Sequence, residues 1–213
     1  MEKREIIAIV GGTGKLGAAI AGRLAKAGRE VIIGSRSAEA AEQMASKLGL
    51  GLAGRTNRDA AAAAEIVIVA VPFAAQKDTL AEIAADVVGK IVVDTTVPLM
   101  PPKVMRVQLP PEGSAAVRAQ TLLGDQVTVV SAFHNVAAHK LITNAEIQCD
   151  VLVFGDDKEA REKVVALATE MGLRGLHGGA LVNSAAAEAM TSVLIFLNKT
   201  YQIDGGGIQI TGI

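Results

Sequence analysis

Short, wholly apolar runs alternate with amphipathic stretches along most of this chain. Ile6-Ile-Ala-Ile-Val10 is followed by a second run from Val31. Further runs cover 65–71, 90–95 and 127–132. Each is too short for a helix, is rich in Val and Ile, and is bounded by Gly, Pro or polar residues, which predicts strands buried on both faces. Between them the spacing predicts helices over 18–27, 37–48, 57–64, 73–87 and 114–123. Gly28 is a C-terminal stop, and Ser37 a cap for a helix with Ala40, Ala41, Met44, Ala45 and Leu48 on one face. Residues 49–54 read as a short strand or turn. Pro72 ends the strand before it.

The pattern continues with a strand over 151–154, a helix capped by Asp157 and running to about 171, and a short strand over 173–177. A last helix, capped by Asn183 or Ser184, runs to about 201. On it Met190, Leu194, Leu197 and Tyr201 share one face, for core packing or a subunit contact. Residues 98–113 form a Pro-rich connector whose Lys103 and Arg106 also suit a basic flap over an anion; from Gly205 the chain is an irregular tail.

Strands alternating with helices predict a Rossmann-type α/β fold: a doubly wound parallel sheet over 1–134, with a smaller C-terminal α/β subdomain over 135–213. Ligands in such sheets sit beyond the carboxyl ends of the strands. Here those ends are residues 11–14, Ser35, Val71-Pro72, Thr95-Thr96-Val97 and Phe133-His134-Asn135.

Composition narrows the picture. Half of the 213 residues are apolar, with four Phe, one Tyr and no Trp, so the core is built from Ala, Val, Ile and Leu. A formal net charge of −1 gives no sign of a nucleic-acid or membrane-surface partner. The single Cys149 excludes a disulfide framework and a Cys-based metal site, and reads as a structural thiol. The opening residues run straight into the first strand, without room for a secretory leader. Residues 181–197 are interrupted by Asn183, Ser184, Glu188, Thr191 and Ser192, unlike a membrane span. A soluble, cytoplasmic protein is expected, and the Ala-rich last helix suits a homodimer.

The candidate chemistry begins at the first strand. Gly12, Gly14 and Gly17 fit G-x-G-x-x-G between a strand and a helix. The first glycine allows a tight turn, the second lets backbone approach a pyrophosphate, and the third brings helix and strand together. NAD-binding chains place an acid about 20 residues further on. Here Gly34-Ser35-Arg36 stands instead. A hydroxyl beside a guanidinium suits a 2′-phosphate and so NADP. His134, at a strand end, is a candidate wall of the nicotinamide or substrate pocket; the alternative is a loop histidine bonded to a neighbouring carbonyl. His139 and His177 read as structural or exposed, and the three histidines are too scattered for a metal site. The acid–base motif Tyr-x-x-x-Lys is absent, because Gly205 follows Tyr201 at that spacing, and no G-x-S-x-G turn occurs. A dinucleotide site without an acid–base pair favours hydride exchange between two bound redox cofactors, which needs chiefly face-to-face placement and exclusion of water.

Taken together, Gly11-Gly-Thr-Gly-Lys-Leu-Gly17, Gly34-Ser-Arg36, Ser131-Ala-Phe-His134 with Ala137-Ala138, Gly155-Asp-Asp157 and Gly179-x-Leu-x-Asn-Ser184 resemble the NADPH-dependent coenzyme F420 reductases. The resemblance covers nearly the whole chain. It implies reversible hydride transfer between C4 of the nicotinamide and C5 of an 8-hydroxy-5-deazaflavin. It also implies that Thr13, Gly14, Lys15 and Leu16 hold the pyrophosphate and that Ser35 and Arg36 hold the 2′-phosphate. Val71, Val97 and Ala138 would line the nicotinamide side, His134 would lie near the junction of the rings, and Gly206 near the deazaflavin. Two positions depart from the family pattern: Ala40 stands where a second basic contact is frequent, and Ala185 where Arg is usual. The alternative readings are a reductase of a flavin or other small molecule on the same fold, and a non-catalytic NADP-sensing module.

Overall fold

The computed structural model describes residues 5–143 and 145–213. The expected direct entry of residues 1–4 into the first strand lies outside them.

Along β1 (Ile7–Val10) side chains alternate between two cores: Ile7 and Ile9 enter one, Ala8 and Val10 the other. β4 (Ile66–Val69) divides in the same way, Ile66 and Ile68 against Val67 and Val69. A strand covered on both faces has no polar side, which is why these runs are uninterrupted in the sequence. With β2 (Val31–Ser35), β3 (Ala53–Thr56), β5 (Ile91–Asp94), β6 (Thr128–Ser131), β7 (Asp150–Gly155) and β8 (Arg174–Gly179), they form one sheet in the order β3-β2-β1-β4-β5-β6-β7-β8.

Strands β1 to β6 are all parallel, as the pattern predicts. β7 departs from it by running antiparallel to β6, through Val130↔Gly155 and Ser131↔Phe154, with β8 parallel to β7. The segment between β6 and β7 holds only the five-residue α6 (Ala138–Ile142) and no helix long enough for a parallel crossover. The chain therefore turns back at the carboxyl edge of the sheet. Because only the last two residues of β7 pair with β6, its earlier residues overhang the edge where ligands bind.

Helices α1 (Lys15–Lys26), α2 (Ala38–Leu48), α6 and α7 (Lys158–Glu170) cover the Ile7/Ile9 face. Helices α3 (Asn57–Ala63), α4 (Phe73–Ile83) and α5 (Ala115–Leu123) cover the other. α8 (Ser184–Tyr201) packs on α5. Ser37, Ser114 and Asp157 cap their helices, accepting the N–H of Ala40, Val117 and Ala160 respectively. α1 begins three residues earlier than its apolar spacing suggests, with Gly17 in its first turn. α3 is capped by Thr56, which accepts the Asp59 N–H at 3.1 Å. The α6 and α7 ends are tied together by Arg23 of α1, whose guanidinium donates to the carbonyls of Leu141, Met171, Thr143 and Ala145.

Of the α8 face read as core packing or a subunit contact, Leu194 is buried, but Met190 and Tyr201 are exposed. Its inner side carries Ser184, Glu188 and Ser192, four residues apart and all buried. Among the described residues, 181–201 is the one helical stretch long and apolar enough by composition to cross a membrane. Its inner hydroxyls and carboxylate are engaged with the rest of the fold (Ser114, Ala115, Ala116 and Arg106).

Candidate dinucleotide and substrate clefts

The turn after β1 is built by close approach. Gly11 is the left-handed residue, at φ +75°, so the conformational role assigned to Gly12 falls one position earlier. Two consecutive glycines leave the sequence unable to choose between them. A Cβ at Gly17 would lie 2.8 Å from the Gly11 carbonyl oxygen and 2.8 Å from the Gly12 Cα, so α1 can start this close to the turn only without a side chain. The turn is pinned at two points. The Gly12 N–H donates to the Gly34 carbonyl at 2.9 Å, and the Gly11 N–H donates to Oδ1 of Asn57, a buried side chain at the start of α3.

Gly14 is the N-cap of α1. No side chain caps this helix and its first turn holds no acidic residue. The first-turn N–H groups, at the positive end of the helix dipole, thus face outward for an anion. Above them Gly14, Lys15 and Leu16 join Ala70, Val71, Pro72 and Thr95 around a cleft of about 250 Å³. Four of the expected cofactor residues are thereby brought together. Val97 is half-buried on the loop leaving Thr95. Thr13 and the far side of Gly14 and Lys15 open instead onto a groove along α1 that reaches Met44, Leu48 and Leu141.

Ser35 ends β2 and is buried, whereas Arg36 is exposed and makes no hydrogen bond or ion pair with the described residues. Arg55 is a second exposed cation one strand over, in register with Gly34; the sequence pattern does not single it out, because β3 is short and carries no periodicity.

The end of β6 is strained. Phe133 is buried at φ +67°, a region that a bulky residue rarely adopts. It turns His134 inward, where Nε2 lies 2.7 Å from the Ser131 hydroxyl and the ring lies 6.3 Å from that of Phe154. Burial pushes the His134 pKa down to about 4, so the ring is neutral near pH 7. His134 lines neither the glycine cleft nor the one beyond it. Its neighbour Asn135, with Ala137, Lys140, Cys149 and Gly205 to Gly207, surrounds a second cleft of about 340 Å³. Gly206 is held there by donating its N–H to Asn198 at 2.8 Å, and half-buried Ala138 begins α6 alongside. His139 pairs with Asp204 at 2.9 Å, and His177 is exposed. No group of three or more His, Cys, Asp or Glu among the described residues is placed to hold a metal ion.

Two buried carboxylates were not singled out from the sequence. Asp94, at the end of β5, accepts Nε2 of Gln76 at 2.6 Å and the Thr96 N–H at 3.1 Å. Glu188 accepts the N–H groups of Ala115 and Ala116 at the start of α5. Burial raises both pKa values, that of Glu188 to about 7.

Comparison with known proteins agrees with this geometry. Residues 6–98 match the family described as NADP oxidoreductase coenzyme F420-dependent. The chain is 42% identical to the F420-dependent NADP reductase of Methanothermobacter thermautotrophicus, over 97% of this chain and 95% of that one. It is 39% identical to the F420-dependent NADP reductase of Methanocaldococcus jannaschii, over 97% and 98%. Among solved structures, a proposed F420-dependent NADP reductase from Arthrobacter sp. FB24 superposes with a TM-score of 0.87 at 26% identity, covering 98% of this chain and all of that one. With relatives this similar along nearly their full length, the chain belongs to the coenzyme F420-dependent NADP oxidoreductase family.

Proposed function

We propose that the chain catalyses reversible hydride transfer between NADP(H) and the deazaflavin coenzyme F420. The observation that carries this reading is the cleft above an uncapped α1, with an unpaired Arg36 at the end of the neighbouring strand, in a chain whose full-length relatives are F420-dependent NADP reductases. The cradle fits a pyrophosphate. Gly14 offers no side chain, and the N–H groups of Lys15 and Leu16, with the Thr13 hydroxyl, are free of any side-chain cap. Ser35 and Arg36 hold the 2′-phosphate.

When bound, the two cofactors supply the redox chemistry: a hydride passes between C4 of the nicotinamide and C5 of the deazaflavin. The chain's own residues orient and keep water out. Val71, Val97 and Ala138 give the nicotinamide side an apolar lining. His134 stands behind Asn135, outside the lining of either cleft, as a fixed and neutral support held by Ser131 and unsuited to donate a proton near pH 7. Gly206 keeps a backbone wall close to the deazaflavin side. This division of labour fits a site without an acid–base pair. The protein acts in the cytoplasm as a homodimer; the exposed apolar side chains of Met190, Val193 and Phe196 on α8 support the second part of that statement.

Incubation of the protein with NADPH and a deazaflavin, then with a flavin, tests the reading through loss of NADPH absorbance. Turnover of the deazaflavin is expected. Turnover of flavin alone would replace the acceptor, and turnover of neither would remove the enzymatic reading. His134→Ala should lower the rate with little change in NADPH affinity; an unchanged rate would take His134 out of the site.

A further inference from the structure

α8 presents a polar stripe to the interior where a core helix would present an apolar one. Ser184, Glu188 and Ser192 are each almost fully buried, and each reaches a different neighbour. The Ser184 hydroxyl lies 2.9 Å from that of Ser114, the residue capping α5. Glu188 accepts the Ala115 N–H at 2.6 Å through one oxygen and the Ala116 N–H at 3.2 Å through the other. The Ser192 hydroxyl donates to the Arg106 carbonyl, in the connector over 98–113. On the far side of Ala115 the path continues. Its carbonyl accepts Nε2 of Gln76 at 2.9 Å, and the same nitrogen donates to Asp94 at 2.6 Å. Asp94 in turn orders the Thr96 N–H, next to the Thr95 that lines the glycine cleft. A continuous hydrogen-bonded path therefore runs from α8 to the wall of that cleft.

We propose that Glu188 is a positioning residue for the dinucleotide: by clamping the start of α5 it fixes, through Gln76 and Asp94, the segment whose Thr95 walls the glycine cleft, and so sets how tightly NADP(H) is held. The inference rests on the reading of the glycine cleft as the NADP site. Its physical basis is the use of both carboxylate oxygens as acceptors. Only the ionised group offers two full acceptors; a protonated one must turn one oxygen into a donor. Glu188 titrates at about 7, because burial outweighs the two backbone N–H bonds and Asp94 adds repulsion. The charged groups that act on this junction are Asp94 from β5, directly on Glu188, and Arg118 from α5, through Asp94; the exposed Arg106 reaches α8 only through its backbone carbonyl, and the His134 ring bonds Ser131. Arg118 acts on Asp94 and lies 4.6 Å over the Phe73 ring, while His134 is already neutral in this range.

The test is NADPH binding to the full-length protein, measured by fluorescence from pH 6 to pH 8, in wild type and in Glu188→Gln. Gln keeps the size of the side chain and one acceptor and cannot ionise. The 2′-phosphate of the ligand also titrates near 6, but identically for both proteins, so their difference isolates Glu188. In wild type the affinity should fall about three- to tenfold as pH drops through 7, the worth of one hydrogen bond. Glu188→Gln should bind weakly at every pH, without that midpoint, while kcat at saturating NADPH changes little. A midpoint near 7 that persists in Glu188→Gln would hand the titration to Asp94 and overturn the proposal. So would wild-type affinity in the variant at pH 8. If wild type itself fails to bind NADPH, the reading of the cleft falls first and this inference falls with it.

Discussion

Oδ1 of Asn57 accepts the N–H of Gly11 at 3.1 Å and so ties the start of α3 to the turn that follows β1. The bond is part-buried, and it spans two segments that must both be in place before the helix end of α1 can face a ligand. Gly34 makes room for it: a Cβ there would lie 3.2 Å from that same oxygen. Asn57→Ala should leave the Gly11 N–H without a partner and cost about 1–3 kcal/mol of stability. It should also weaken NADPH binding, since the turn loses one of its two anchors. Urea unfolding and a binding titration on the same preparation check both effects. Full retention of NADPH affinity would show that the Gly12–Gly34 bond alone holds the turn.

Arg36 is exposed and has no partner among the described residues, so its guanidinium is available to a ligand at no cost to the fold they form. Arg36→Ala should therefore leave thermal stability unchanged. It should weaken NADPH by about 1.5–3 kcal/mol, the worth of a charged hydrogen bond, and NADH hardly at all. Titration of both nucleotides against both proteins measures the discrimination. Equal losses for NADPH and NADH would show that Arg36 does not contact the 2′-phosphate. Arg55→Ala, one strand over, should give a smaller effect of the same kind.

Two buried groups oppose each other in their response to pH. The pKa of His134 is lowered from 6.5 to about 4, so its share of stability is present above 6.5 and is lost as pH falls towards 4. The pKa of Glu188 is raised from 4.5 to about 7, so its share is present below 4.5 and is lost as pH rises towards 7. Between 4.5 and 6.5 the unfolded chain carries its proton on His134 and the native chain on Glu188. The two proton counts match, and the slopes cancel. Each single variant should unmask the other group. Glu188→Gln should lose about 3 kcal/mol between pH 6.5 and 4, and His134→Asn a similar amount between pH 4.5 and 7, at 1.36 kcal/mol per unit of pKa. Urea unfolding across pH in the three proteins reads this directly. Parallel curves for all three would mean that neither pKa is displaced.

What the sequence discloses here is whatever local chemistry decides. The strands buried on both faces are legible because no polar side interrupts them, and Ser37 and Asp157 are legible as caps because a cap needs only its own first turn. The direction of β7 is not legible: 150–155 carries the same residues whichever way it pairs, and only the brevity of the 132–149 connection turns it back. α6 is too short to leave a periodic signal. Glu188 is hidden most deeply. Within an apolar stretch it reads as an interruption, and its meaning depends on the start of α5, 73 positions away in the chain. For the same reason the polar inner side of α8 is not legible: it answers to hydrogen-bond donors on other elements, which apolar spacing within one helix does not record.

Arg23 is a fold determinant of the same non-local kind. From the last turn of α1 it donates to the Leu141, Thr143 and Ala145 carbonyls at and beyond the end of α6, and to that of Met171 at the end of α7. Helix C-termini hold carbonyls without intrahelical partners, and a guanidinium there satisfies several at once while opposing the negative dipole end. Arg23→Ala should cost about 3 kcal/mol, and so lower the melting temperature by roughly 6–12 °C in a chain of this size. Arg23→Lys should recover only part of this, because an ammonium lacks the planar fork. Calorimetry on both variants checks the ranking; equal melting temperatures for Lys and wild type would show that charge alone suffices.

The open face of α8 carries the last expectation. Met190, Val193 and Phe196 are 38%, 40% and 50% exposed and recur every three residues along one side of α8, and Val182, 62% exposed, lies in the turn before it. Val107 and Leu109 of the connector are exposed as well. An apolar helix face of this kind is stable in water when a like face covers it, and a two-fold axis across α8 would set this same patch against itself in the partner, each residue meeting a reciprocal one. Sedimentation should therefore find a dimer at micromolar concentration. Val193→Glu combined with Phe196→Glu should give a monomer with an unchanged far-UV spectrum, because both side chains point away from α5 and the buried polar stripe. Burial of two unpaired carboxylates at the contact would cost several kcal/mol, more than a modest interface can absorb. A wild type that sediments as a monomer, or a double variant that remains dimeric, would remove α8 as the subunit contact.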